Sequence, residues 1–169
     1  MDYKKLLQKK EKFQSTKLSP VTLESYDANF DLVYAHHSTA IEGNTLTLIE
    51  TKVLLEDHIS IGGKSLREIY EVVNHKKAFE YVKKCIAEKK PLDEHIVKDI
   101  HAMLMENIFT GGIYRNVPVL ITGAKHKPPV PNEMYFQVKE FFRDLPQKEF
   151  ETPIELAAWT HAEFVKIHP

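Results

Sequence analysis

Side chains on one face of a helix return at steps of three or four from Leu23 through Tyr26, Phe30, Val33, His37 and Ile41. Ser19 before Pro20 starts that helix, because a serine hydroxyl caps free amides and proline takes the first helical position without losing a bond. Gly43 stops it. Thr47 with Glu50, and Ser65 with Glu68, each carry the spacing of a capping box and predict helices near 48–58 and 66–89. The second of these places Ile69, Val72, Val73, Phe79, Val82 and Ile86 inward and leaves Lys76, Lys77, Lys83 and Lys84 on a solvated face. Gly62-Gly63 is the loop between them.

Beyond Pro91, Asp93 caps a helix with Ile96, Ile100, Met103, Leu104 and Ile108 toward the core, ended by Gly111-Gly112. The period then drops to two at Val117, Val119 and Ile121, and Thr122 to Lys127 reads as a turn before Pro128-Pro129-Val130, which together predict a short β-hairpin. Asn132 is the expected cap of a helix through Met134, Val138, Phe141, Phe142 and Leu145. Thr152-Pro153-Ile154-Glu155 opens the last helix, which runs toward His168. The pattern therefore predicts an all-α, mainly helical fold of six or seven helices with one hairpin excursion.

A chain of 169 residues is long enough for one domain with a sizeable core. Lys and Arg number 23 against 24 Asp and Glu, and a net charge of −1 offers no field to draw the chain to nucleic acid or anionic lipid. Cys85 is the single cysteine, which excludes an intrachain disulfide and fits a reducing, cytoplasmic setting. The lysine-rich run after Met1 and Asp2 lacks the apolar centre of a secretory signal, and no later stretch is apolar enough to span a bilayer, so a soluble protein away from membranes is expected. The histidines at 36, 37, 58, 75, 95 and 101 lack metal-ligand spacing, and Trp159 with Phe141-Phe142 reads as core.

The candidate chemistry lies at the end of the last helix. His161, Phe164 and Ile167 or His168 fall at helical spacing, and Pro169 cannot continue the helix. An imidazole at such a junction titrates near neutrality and can take a proton from a hydroxyl. From spacing alone a histidine capping the helix C-terminus, favoured by the helix dipole, is the plainer reading.

Residues His161 to Pro169 resemble the opening of the active-site motif of the Fic family, whose pattern continues HPFxDGNGRxxR; only its first two positions, His168 and Pro169, are present. Ser38 to Asn44 resembles that family's inhibitory signature: Ser or Thr, three variable positions, Glu, then Gly or Asn. Gly112 to Arg115, followed by Val119 to Pro129, is similar to the family's flap, a hairpin over the active site. The three stretches occur in the family's order.

The resemblance implies a Fic-like helical bundle with one β-hairpin flap, residues 1–60 forming N-terminal helices with the inhibitory helix and 61–169 the Fic core. It implies a protein adenylyltransferase that uses ATP and Mg²⁺, with His168 as general base. His168 would deprotonate a Ser, Thr or Tyr hydroxyl of a target protein, which attacks the α-phosphate, takes AMP and releases pyrophosphate. The acidic Mg²⁺ ligand, the Gly-Asn-Gly phosphate cradle and two arginines of the motif would follow Pro169, so no metal ligand is expected in this chain, which is read as a fragment inactive alone. Ser38, Glu42, Gly43 and Asn44 would form the autoinhibitory element, Glu42 pairing with the motif's second arginine and keeping the γ-phosphate out of its productive pose. Val119, Leu120, Ile121, Thr122 and Gly123 of the flap would bind the target by strand addition. A homodimer is left open. The other readings are a non-catalytic Fic module that acts as a binding partner, and a hydrolase that removes AMP with Glu42 as base.

Overall fold

The structure is a computed structural model, and it describes residues 3–169; Met1 and Asp2, with which the N-terminal reading begins, lie outside the described residues. It is mainly helical: α1 Lys4–Ser15, α2 Pro20–Ile41, α3 Leu48–Glu56, α4 Leu66–Ala87, α5 Glu94–Met105, α6 Pro131–Asp144, a 3-10 turn Leu145–Gln147 and α7 Pro153–Ile167. The chain divides into two compact units, one up to Glu80 and one from Tyr81 to Pro169, the division falling within α4.

In the first unit the capping chemistry works as the spacing predicts. Ser19 accepts from the Thr22 amide, and Thr47 and Glu50 form a reciprocal box at 3.2 and 2.7 Å. Ser65 and Glu68 do the same at α4. The buried face of α2 is different from the expected one. Tyr26, Phe30 and Ile41 are 64, 56 and 82% exposed, whereas Ala35 and Thr39 are buried. Small side chains at 35 and 39 let α2 approach its neighbours closely, and Ala35 joins Leu46, Leu54, Leu55 and Val72, with Leu32, Ile61 and Ile69 packed against them. Thr39 satisfies its hydroxyl on the carbonyl of Ala35 within the same helix. Phe30 and Tyr34 stack on each other and lean on Phe79.

The second unit is built around Met134, Val138, Phe141 and Ile167, with Tyr114, Phe142, Leu145, Trp159 and Phe164 packed against them. Phe141 stacks on Trp159 with centroids 5.8 Å apart. Two expected caps shift. Helix α6 begins at Pro131, whose fixed φ suits the first helical position, so Val130 and not Asn132 precedes it and no side chain caps it. At α7 the Thr152 hydroxyl accepts from the Glu155 amide, while the Glu155 carboxylate accepts from Glu151 N–H, one residue before the reciprocal position.

The β-hairpin is absent: among the described residues no strand forms between Gly112 and Val130. Its turn is nevertheless made, with Ala124 N–H on the Ile121 carbonyl at 3.1 Å and Gly123 at φ +79°, a conformation glycine adopts without steric cost. The ladder fails for a covalent reason. Pro118 in the outgoing arm and Pro128 and Pro129 in the returning one have no N–H to donate.

Candidate active site

Helix α7 delivers the candidate base. Ile167 is buried at 6% exposure in the core, which fixes the last helical turn, and His168 then takes a left-handed conformation, φ 48° and ψ 58°. A residue before proline is disfavoured in the right-handed helical region, and the left-handed one that His168 takes costs a non-glycine residue about 1–2 kcal/mol. The His168 amide still donates to the Phe164 carbonyl at 3.0 Å, so the chain turns directly off the helix end. The His168 side chain is exposed and its ring has no hydrogen-bond partner among the described residues.

Arg115 organises the surroundings. Its Nε donates to the His168 carbonyl at 2.6 Å, Nη2 to the carbonyls of Pro129 and Ile167 at 2.5 and 3.4 Å, and Nη1 to that of Val117 at 3.1 Å. His126 Nε2 adds a contact to the Lys166 carbonyl at 2.7 Å. The segment expected to be the flap is thus tied to the end of α7 through side chain to backbone bonds, in place of a ladder. Val119 and Ile121 turn partly inward, while Leu120 is 85% exposed and Thr122 and Gly123 are exposed. The bonds that tie Arg115 and His126 to the end of α7 are invisible to spacing, since they join residues 40 to 53 positions apart; the one signal is that Arg115 closes the Gly112–Arg115 stretch.

A groove of about 690 Å³ runs beside this point, lined among others by His126, Lys127, Trp159, Glu163 and Lys166. A smaller, more apolar cavity of about 260 Å³ lies between α5 and Phe164 and reaches Pro169.

The other candidate residues belong to the first unit. Ser38 is partly buried on the last turns of α2, and Glu42 is the residue that ends it, at φ −87° and ψ 6°, with Gly43 following at φ +97°. The Glu42 carboxylate is exposed and has no partner among the described residues. Asn44, by contrast, is 8% exposed and fully engaged. Its amide donates to the Glu68 carbonyl at 2.9 Å and to Glu71 Oε2 at 3.0 Å, and its Oδ1 accepts from Leu46 N–H. Thr45 adds its N–H and hydroxyl to Glu68 Oε1, and Lys64 donates to the Thr45 carbonyl at 2.7 Å. Four donors from Thr45 and Ser65 converge on the Glu68 carboxylate, foremost the Thr45 hydroxyl, and hold its pKa down at about 2. The turn that carries Glu42 is therefore anchored on both sides while the carboxylate itself stays open.

Among the described residues no three His, Cys, Asp or Glu side chains converge. No helix of the described residues is long and apolar enough to cross a membrane.

Comparison with known proteins fits this arrangement. The sequence model of the Fic/DOC family matches residues 91–169. A protein adenylyltransferase Fic of Drosophila erecta is 31% identical over 147 residues, covering 85% of this chain and 29% of that protein. One from Nematostella vectensis is 35% identical over 150 residues, covering 85% and 34%. This chain thus spans about a third of the length of such relatives. Among solved structures, a Fic domain containing signaling protein from Bacteroides thetaiotaomicron superposes with a TM-score of 0.87 at 28% identity, over 100% of this chain and 66% of that one. Fic-1 from C. elegans gives 0.79 at 28% identity, over 94% and 47%. With the end of α7 and His168-Pro169 inside the matched region, residues 91–169 of this chain form a Fic domain.

Proposed function

We propose that this chain supplies the general base and the inhibitory carboxylate of an autoinhibited protein adenylyltransferase that moves AMP from ATP to a hydroxyl side chain of a target protein. The observation that carries the proposal is the exposed, unpartnered His168 imidazole at the left-handed end of α7, next to an irregular segment with free backbone groups. The acceptor hydroxyl gives its proton to the imidazole as its oxygen bonds to the α-phosphorus. The bond from that phosphorus to the bridging oxygen breaks, and pyrophosphate leaves. A neutral imidazole nitrogen carries the lone pair that accepts this proton. Phosphoryl-type transfer asks mostly for alignment, which a base fixed at the end of a packed helix provides.

The target docks along Val119 to Gly123. In that stretch the N–H groups of Val119, Leu120 and Ile121 have no ladder partner among the described residues, and an extended peptide pairs with such groups by strand addition. Glu42 restrains the reaction by charge. A carboxylate beside the γ-phosphate repels it, and displacement of the α-phosphate by about 1 Å lowers the rate by about two orders of magnitude. The anchored turn keeps Glu42 in place, and the absence of a partner leaves its charge available. ATP and a target protein are the partners this reading requires; the chain provides no assigned Mg²⁺ ligand.

The test is incubation of a protein carrying the whole active-site motif with ATP labelled at either phosphate. Label from the α-phosphate should enter protein, label from the γ-phosphate should not, and Glu42→Gly should raise incorporation by at least about tenfold. Equal labelling with and without Glu42 would remove it from the inhibitory role. Transfer of the γ-label would identify a kinase instead.

A further inference from the structure

Arg115 makes no ion pair among the described residues, and its hydrogen bonds there all go to main-chain carbonyls. Two of these, Ile167 and His168, lie at the C-terminal end of α7, where the dipole is negative and a cation is favourable. The other two, Val117 and Pro129, lie on the two arms of the irregular segment. A planar guanidinium with five donors in fixed directions can hold both sets at once, and an ammonium, as a compact charge, cannot. The left-handed His168 conformation has a cost that needs an opposing contact, and the 2.6 Å bond to its carbonyl is one.

We infer that Arg115 is a positioning residue that couples the 117–129 segment to His168, so that the surface on which a target strand docks and the imidazole that deprotonates it are set by one guanidinium. Its consequence for transfer rests on His168 being the base; the coupling itself does not. Among the described residues the segment pairs with no strand, and without this contact the side-chain hydrogen bond left between it and α7 is that of His126 with the Lys166 carbonyl. Docking of a target would then no longer imply an aligned base.

The coupling is read by nuclear magnetic resonance on the whole chain, comparing wild type with Arg115→Lys and His126→Ala. Arg115→Lys should speed amide exchange at both Ala124 and His168 by about tenfold, the size expected for loss of a charged hydrogen bond, and should change the three-bond coupling that reports φ at His168. Lysine keeps the charge, so a folded protein is expected; a helical circular dichroism melt confirms it. His126→Ala breaks the second tie and should speed Ala124 alone. Unchanged exchange and coupling at His168 in Arg115→Lys, or an equal response to His126→Ala, would overturn the inference. In a protein with the whole motif and Glu42→Gly, Arg115→Lys should lower kcat by about tenfold while KM for ATP stays within about twofold. A wild-type kcat would overturn the positioning role. Absence of any AMP transfer with Arg115 intact would defeat the adenylyl transfer reading and leave the exchange data to decide the coupling.

Discussion

Single residues divide here between those that hold and those that are held ready. Asn44, Glu68 and Arg115 satisfy several backbone groups each, whereas Glu42 and His168 are exposed with no side-chain partner among the described residues. Asn44→Ala would strand the Leu46 amide and remove the ties to Glu68 and Glu71, and a loss of about 1–3 kcal/mol in urea unfolding is expected; a loss under about 0.5 kcal/mol would show that the turn does not depend on it. Glu68 gives a pH signature. Its pKa in the folded chain is about 2 against an ordinary 4.5, so its contribution to stability is complete above pH 4.5 and is lost as pH falls through about 2. A Glu68 carboxyl carbon that titrates near 4.5 by nuclear magnetic resonance would contradict the four-donor geometry. The sequence singles out Glu42 and His168 through resemblance to a motif. It could not show what Asn44 and Arg115 do, because their partners stand 24 and up to 53 positions away.

Among the elements, local chemistry was legible and long-range pairing was not. Helices α2, α3, α4, α5 and α7 start at the capping residues that the sequence marks, since caps are satisfied within four positions. The buried side of α2 was misjudged because hydrophobicity pointed to Tyr26 and Phe30, while closeness of approach selected Ala35 and Thr39. The alternation at 117–121 predicts a strand, but the prolines around it remove the donors that a ladder needs. Two expectations belong at this scale. A Cβ at Gly111 would lie 2.6 Å from the His101 carbonyl oxygen and 2.7 Å from the Ala102 Cα, both rigid helix backbone, so Gly111→Ala should destabilise by about 1–3 kcal/mol or more. A thermal midpoint equal to wild type would refute that packing. Met134→Ala, at a fully buried site that supports Phe141 and Ile167, should cost about 2–5 kcal/mol in denaturant unfolding and loosen the end of α7 with it. A loss below about 1 kcal/mol would mean that the core does not brace the helix that presents His168.

For the molecule as a whole, the family and the mainly helical fold came from short stretches in the right order and are supported by a TM-score of 0.87 to a Fic-domain structure. The proposed activity draws on two features of this chain, an imidazole at the end of a packed helix and a carboxylate on an anchored turn. The central claim is that His168 takes the proton of the acceptor hydroxyl. The most direct test is intact mass spectrometry of a motif-complete protein with Glu42→Gly, incubated with ATP, with and without His168→Ala. The account predicts an AMP adduct that appears with His168 present and is lost, by at least about a hundredfold, when it is alanine. An adduct that accumulates at a comparable rate without His168 would contradict it.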